Sequence, residues 1–245
     1  MNPNDAMRER ARKLGFYGLL SRWDEVGKEP WLESLLAREE TERAHRSLEG
    51  RVKRARLGTF KPLSDFDWAW PKKISKTEID SALTLDFLND AGNLVLVGPN
   101  GVGKTTLALN IAYAALLAGN TVLKVTASEM LADLAMQESA SSLVRRLRRY
   151  THPSLLVIDE VGYLSYETRH GDLFFEVISR RHEKKSVILT TNRPFAEWNQ
   201  IFPQSSCVTA LVDRLLHRAQ IILIAGDSFR TKERQERQAR KNRKR

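Results

Sequence analysis

The eight residues Gly98-Pro99-Asn100-Gly101-Val102-Gly103-Lys104-Thr105 constrain this chain more than any other stretch, because they match the phosphate-binding pattern G-x-x-x-x-G-K-[ST]. Their flanks give the match its meaning. Leu94-Val95-Leu96-Val97 has the aliphatic content of a buried strand, and residues 107–118 are rich in strong helix formers. Glycines at 98, 101 and 103 let the backbone turn its N–H groups inward around a phosphate. Lys104 brings a point charge to the β/γ oxygens, the Thr105 hydroxyl is a ligand for Mg²⁺, and Thr106 ends the run of nucleotide-contacting residues. The following helix offers its positive end to the same anion. A nucleoside triphosphate with Mg²⁺ is the expected ligand.

From Leu94 onward the pattern alternates strand and helix, the signature of a parallel sheet covered by helices on both faces. The spacing predicts strands at 94–97, 121–125, 155–158, 186–191 and 221–224. Right-handed crossovers then bring the phosphate loop to the carboxyl edge of the sheet. Leu155-Leu156-Val157-Ile158-Asp159-Glu160 delivers two carboxylates to that edge. Asp159 is placed to hold Mg²⁺ or its waters, and Glu160 to polarise an attacking water. Val187-Ile188-Leu189-Thr190-Thr191-Asn192 ends there too, so the Asn192 amide is expected to orient that water against the γ-phosphate. Arg214, on the amphipathic stretch 211–218, is either an ordinary surface arginine or a group that reaches a phosphate in a neighbouring copy.

Ahead of the sheet, residues 5–14 and 16–27 read as two short helices broken at Gly15, with Met7, Leu14, Phe16, Leu19, Leu20, Trp23 and Val26 available for packing. A longer helical pattern runs from Pro30 to Gly58, with Gly50 a candidate kink. Its acid-before-base pairs mark a solvated face. Toward its end Arg51, Lys53, Arg54, Arg56 and Lys61 meet few acids, which fits either phosphate contact or solvation. Residues 58–71 lose the helical period and gather Phe60, Phe66, Trp68 and Trp70, as a linker that docks on the core. Residues 77–91 read as a helix leading into the first strand. The expected organisation is an N-terminal helical domain at 1–65, an α/β core at 66–228 and a basic tail at 229–245.

The balance of 40 Lys and Arg against 30 Asp and Glu gives a net charge of +10, so an anionic partner fits; charge does not choose which. Cys207 is the one cysteine, which rules out an intrachain disulfide and fits a reducing compartment. No apolar run approaches the ~20 residues that span a bilayer, so a cytoplasmic location is expected.

Taken in order, GPNGVGKT, LLVIDEVGY, ILTTN, DRLLHRA and the GDSFR at 226–230 resemble the IstB helper ATPases of insertion sequences, related to the DnaC-type helicase loaders of the AAA+ class. The resemblance covers nearly the whole chain, including the N-terminal WLESLLAREETERAHRSLEGRVKRARLG. It implies an AAA+ three-layer sandwich that hydrolyses ATP, with Lys104 and Thr105 as the Walker A pair, Asp159 and Glu160 as the Walker B pair and Asn192 as sensor 1. Arg214 becomes an arginine finger acting in trans, and Arg230 a second nucleotide-sensing arginine. The resemblance also makes Arg145, Arg146, Arg148 and Arg149, in the connection between the second and third strands, phosphate contacts of a DNA-binding surface. The basic tail, with Lys232, Arg234, Arg237, Arg240, Lys241, Arg243, Lys244 and Arg245, fits the same partner. The implied activity is oligomerisation on duplex DNA and recruitment of a transposase, with hydrolysis controlling disassembly. A helicase loader on single-stranded DNA, a small-molecule kinase and an ATP-locked scaffold are the alternatives. Relatives often carry Asp where this chain has Glu160, and Tyr where it has His182. The stretch after the last strand is too short for the separate helical lid of many AAA+ proteins, so another copy or the N-terminal helices must close the site.

Overall fold

The computed structural model describes residues 2–163, 166–203, 206–229, 231–232, 234 and 238, apart from the side chain of Thr168. The chain divides into two units, Met1–Arg51 and Val52–Arg245.

In the first unit, α1 (Pro3–Lys13) starts on Asn2, whose side chain accepts from the Asn4 N–H, with Pro3 in the first turn where its missing N–H costs nothing. Gly15 ends it in a left-handed conformation with φ 70°. The one-turn helices α2 (Tyr17–Leu20) and α3 (Trp23–Val26) then fold back. Ala11, Leu14, Trp23, Leu32 and Leu36 form the buried core, with Met7, Phe16, Leu19, Leu20 and Val26 packed around it. The apolar positions expected to pack therefore do so. Helix α4 (Pro30–Ala55) passes through Gly50 without interruption and stops three residues short of Gly58, because Arg56 already takes a left-handed φ of 57°. The division between the units falls within it.

The expected boundary at residue 65 differs from this division. Residues 52–65 group with the second unit: the Asn110 side chain donates to the Lys61 carbonyl at 3.0 Å, and the Phe60 ring meets the Tyr113 ring edge-on. The helix expected at 77–91 is also shorter. Helix α5 (Lys76–Leu83) ends where the Thr84 hydroxyl donates to the Ser81 carbonyl and Leu85 turns left-handed at φ 67°.

The second unit holds a five-stranded all-parallel sheet in the order β2-β3-β4-β1-β5, formed by β1 (Asn93–Val97), β2 (Val122–Thr126), β3 (Leu155–Val161), β4 (Ser186–Thr191) and β5 (Ala219–Leu223). All five expected strands are present, displaced by a residue or two, except that β3 runs on through both carboxylates. Between the strands lie α6 (Lys104–Leu117), α7 (Ala127–Ala135), α8 (Ala140–Thr151), α9 (Thr168–Arg181), the single turn α10 (Trp198–Ile201) and α11 (Val208–Leu216).

Strand side chains alternate between the faces. Val95, Leu123, Val125, Leu156, Ile158, Val187 and Leu189 join one core with Leu131, Leu147, Phe174, Leu211 and Leu215 from α7, α8, α9 and α11. On the opposite face α6, with Leu107, Ala108, Ile111, Ala112, Ala115 and Leu116 buried, packs across the central strands and against α5. The result is the expected three-layer α/β sandwich. Because β1 lies between β4 and β5, the loops after β1, β3 and β4 open at one sheet edge, where the crossover direction changes.

Candidate nucleotide site

The phosphate loop leaves β1 at Gly98, whose N–H donates to the Thr191 carbonyl at 3.1 Å, and enters α6 at Gly103 with φ 97°. Its glycines answer to neighbours as well as to dihedral angles. A Cβ on Gly98 would stand 2.1 Å from the Ile224 carbonyl oxygen, and one on Gly103 would stand 2.6 Å from the Phe66 ring. Lys104 is 4% exposed, and its Nζ donates to the Gly98 and Pro99 carbonyls, each at 2.7 Å. A triphosphate draws the ammonium away from these carbonyls by offering oxygens of full charge.

Thr105 and Asp159 meet at this edge: the threonine hydroxyl donates to Asp159 Oδ1 at 3.0 Å. A hydroxyl and a carboxylate in contact beside a triphosphate are the hard oxygen donors Mg²⁺ takes while keeping waters and phosphate oxygens, so the residues fit that ion. Among the described residues no group of three His, Cys, Asp or Glu could hold a metal. The donor set therefore suits an ion shared with a nucleotide.

Asp159 is 4% exposed and its Oδ1 also accepts from the Thr190 hydroxyl at 2.5 Å. The same hydroxyl accepts from the Glu160 N–H at 3.0 Å. Here the β3–β4 register slips between Ile158 and Val161, and Glu160 takes a left-handed φ of 62°. A bulge that re-aims a side chain is the usual consequence of such a slip. Glu160 is exposed while Asp159 and Val161 are buried.

Gly101, Val102, Gly103, Lys104, Thr105 and Thr106 line one cleft of about 340 Å³ with Glu160 and Tyr163. Phe60, Phe66, Trp70 and Phe229 line it from the linker and from the segment after β5. Gly98, Pro99 and Asn100 form the rising limb of the loop and Asp159 lies beneath Thr105; none of the four is among the lining residues. Asn192 follows β4 directly. Its Oδ1 is buried without a hydrogen-bond partner, about 3 Å from where a Cβ on Gly162 would stand.

Arg214 does not line this cleft. Its guanidinium lies 4.4 Å from the Phe175 ring centroid and donates to Ser179 Oγ at 3.1 Å, both on α9. Of the four arginines of α8, Arg145 and Arg148 are exposed. Arg149 is half-buried against Tyr150. Arg146 differs from the expectation that these side chains face no acid: it makes a two-pronged ion pair with Asp133 of α7, to which the Tyr150 hydroxyl also donates. Arg230 and the tail residues Arg237, Arg240, Lys241, Arg243, Lys244 and Arg245 lie outside the described residues.

Three participants escaped sequence reasoning. Thr190 was legible only as a polar residue in an apolar strand. The aromatic linker carried a signal, its ring density, but no direction. Arg181, one of an ordinary basic pair, is 1% exposed and donates to the carbonyls of Tyr150, Pro153, Ser154 and Ser186. Burial pulls its guanidinium down to about 9, still charged at neutral pH. It ties the end of α8 to the starts of β3 and β4.

Comparison with known proteins agrees with this geometry. A family model described as IstB-like ATP binding protein matches residues 16–237. An ATP-binding protein of insertion sequence IS21 from Pseudomonas aeruginosa is 37% identical over 191 residues, 78% of this chain and 72% of the relative. The crystal structure of DnaI aligns with a TM-score of 0.56 at 21% identity, over 70% of this chain and 90% of that one. The DnaC helicase loader aligns at 0.51 and 19%, over 69% and 96%. These two likenesses establish the AAA+ P-loop fold.

Proposed function

The chain belongs to the IstB-like ATP-binding proteins, associated with insertion sequences, and from that premise we propose that it hydrolyses ATP in order to assemble on, and leave, duplex DNA. The observation that carries the hydrolysis reading is the pair of carboxylates at one sheet edge with different surroundings. Asp159 is buried against Thr105, whereas Glu160 is turned by the bulge into the cleft beside the phosphate loop.

In this reading the loop N–H groups and Lys104 hold the β- and γ-phosphates, and Thr105 with Asp159 holds Mg²⁺, directly or through water. The ion, when bound, neutralises charge on the phosphate oxygens. Glu160 accepts a hydrogen bond from the water that attacks the γ-phosphorus in line and takes its proton as the bond to the β–γ bridging oxygen breaks. Asn192 orients that water, and Arg214 of a neighbouring copy covers charge on the transferring phosphoryl group. Arg145, Arg148 and Arg149 contact the DNA backbone, and the assembled form engages the element's transposase. Arg146 has no such part, being committed to Asp133.

Phosphate release, measured with and without duplex DNA, tests this. Glu160→Gln should keep nucleotide affinity and lose turnover by about 10²–10⁴-fold, the worth of a general base. Turnover unchanged in that variant would refute the assignment, and preference for single-stranded over duplex DNA would favour a helicase-loader role instead.

A further inference from the structure

The segment after β5 grips the phosphate loop from outside. Ala225 and Lys73 exchange both backbone hydrogen bonds at 2.9 Å, so the chain returns alongside the aromatic linker. The Trp70 indole N–H donates to the Asp227 carbonyl at 2.9 Å, and Lys72 pairs with the Asp227 carboxylate at 3.0 Å. The Phe229 N–H donates to the Gly101 carbonyl at 2.9 Å. Beyond it Lys232 closes the contact, 3.0 Å from Asp67 and 4.4 Å from the Trp70 ring centroid. The fit is tight enough to exclude a side chain from the loop: a Cβ on Gly101 would stand 2.2 Å from Ser228 Oγ.

One of these bonds acts on the phosphate cradle. In a trans peptide the carbonyl of residue 101 and the N–H of residue 102 point opposite ways. A Gly101 carbonyl held outward by Phe229 therefore turns the Val102 N–H inward. With φ 80° at Gly101, this peptide belongs to a residue type that reaches both signs of φ easily, so its orientation needs an external hold.

We propose that residues 225–229 and Lys232 form a strap that sets the affinity of the phosphate loop for nucleotide, with Phe229 as the positioning residue that keeps the Val102 N–H in the cradle. The proposal rests on the nucleotide-binding reading above. Strap closure and nucleotide binding are then linked reciprocally: whatever loosens one weakens the other.

The test uses the full chain and a fluorescent N-methylanthraniloyl ATP with Mg²⁺. Phe229→Pro, which removes the N–H, should weaken binding by about 10- to 100-fold, the worth of one hydrogen bond to a charged oxygen. Phe229→Ala, which keeps the N–H, should weaken it less. Lys232→Glu should weaken binding, and Asp67→Lys combined with Lys232→Asp should restore it, which decides the matter if the proline variant fails to fold. Amide exchange at Phe229 should slow when nucleotide is added, a response that a purely structural contact would not give. Binding by Phe229→Pro and Lys232→Glu within twofold of the unmodified chain, while Lys104→Ala has lost it, would overturn the strap and leave the site intact. An unmodified chain that binds no nucleotide would sink the site reading itself.

Discussion

Thr190 serves both carboxylates with one hydroxyl. It donates to Asp159 Oδ1 and accepts from the Glu160 N–H, and in doing so holds Glu160 in a left-handed conformation that costs about 1–3 kcal/mol for a residue with a Cβ. Valine is nearly the same shape but leaves the Glu160 N–H without its acceptor. Thr190→Val is expected to lower unfolding stability by about 1–3 kcal/mol, the cost of an unmet buried hydrogen bond. Catalysis should suffer more than binding, because the lost contact aims Glu160 and leaves the loop and Lys104 untouched. Denaturant melts, nucleotide affinity and phosphate release on the same variant check this; equal losses in affinity and turnover would show that Thr190 supports the whole site rather than the general base.

At the scale of elements, α8 shows what a linear pattern can and cannot reveal. Its arginine run and its helicity are plain in the sequence, and so are the phosphate loop, the five strands and the two carboxylates, because each is signalled within a few neighbouring residues. The acid that pairs with Arg146 comes from a different helix, and the contact of Trp70 with Asp227 joins residues 157 apart; no local window contains such pairs. The shortened α5 has the same origin, since a left-handed Leu85 is dictated by the turn into β1 and not by leucine's own preference. The arginines should consequently separate by experiment. Arg145→Ala and Arg148→Ala are expected to leave stability within about 0.5 kcal/mol, as exposed substitutions do. Each should reduce the slope of log affinity for duplex DNA against log salt by about 0.9, one phosphate contact apiece. Asp133→Asn should instead cost stability. Burial by itself would raise the Asp133 carboxyl, but the hydrogen bonds from Arg146 and Tyr150 outweigh it and hold the group below its ordinary value of 3.8. A carboxyl with a depressed folded pKa stabilises fully above the unfolded value and loses that contribution as pH falls through the folded one. The stability gap between the unmodified chain and Asp133→Asn, about 1–2 kcal/mol for a charged pair partly open to solvent, should therefore hold from pH 7 to about pH 5 and close below 3.8. Urea melts across that range measure it. A gap that closes near neutral pH would mean that a different group is titrating.

The whole molecule poses a question that one copy leaves open. Arg214 is set rigidly against Phe175 and Ser179, yet it is absent from the lining of its own cleft, so any phosphate it serves belongs to another copy. Such a contact joins two different surfaces, the cleft of one copy and the α11 face of the next, and repeats head to tail into a ring or a filament. Mixing separates this arrangement from one in which every copy is self-sufficient. Lys104→Ala lacks the loop cation and Arg214→Ala lacks the finger, so each variant by itself should turn over ATP about 10³–10⁵-fold more slowly than the unmodified chain if both groups act as proposed. In an equimolar mixture that assembles at random, half the clefts keep Lys104 and half of those face a copy that keeps Arg214, so about a quarter of full activity should return. The recovery should also depend on total protein concentration and on duplex DNA, because both drive assembly. A mixture no more active than its components, at concentrations where the unmodified chain assembles, would place Arg214 outside the reaction and return its guanidinium to the role its own chain already gives it, a tether between α11 and α9.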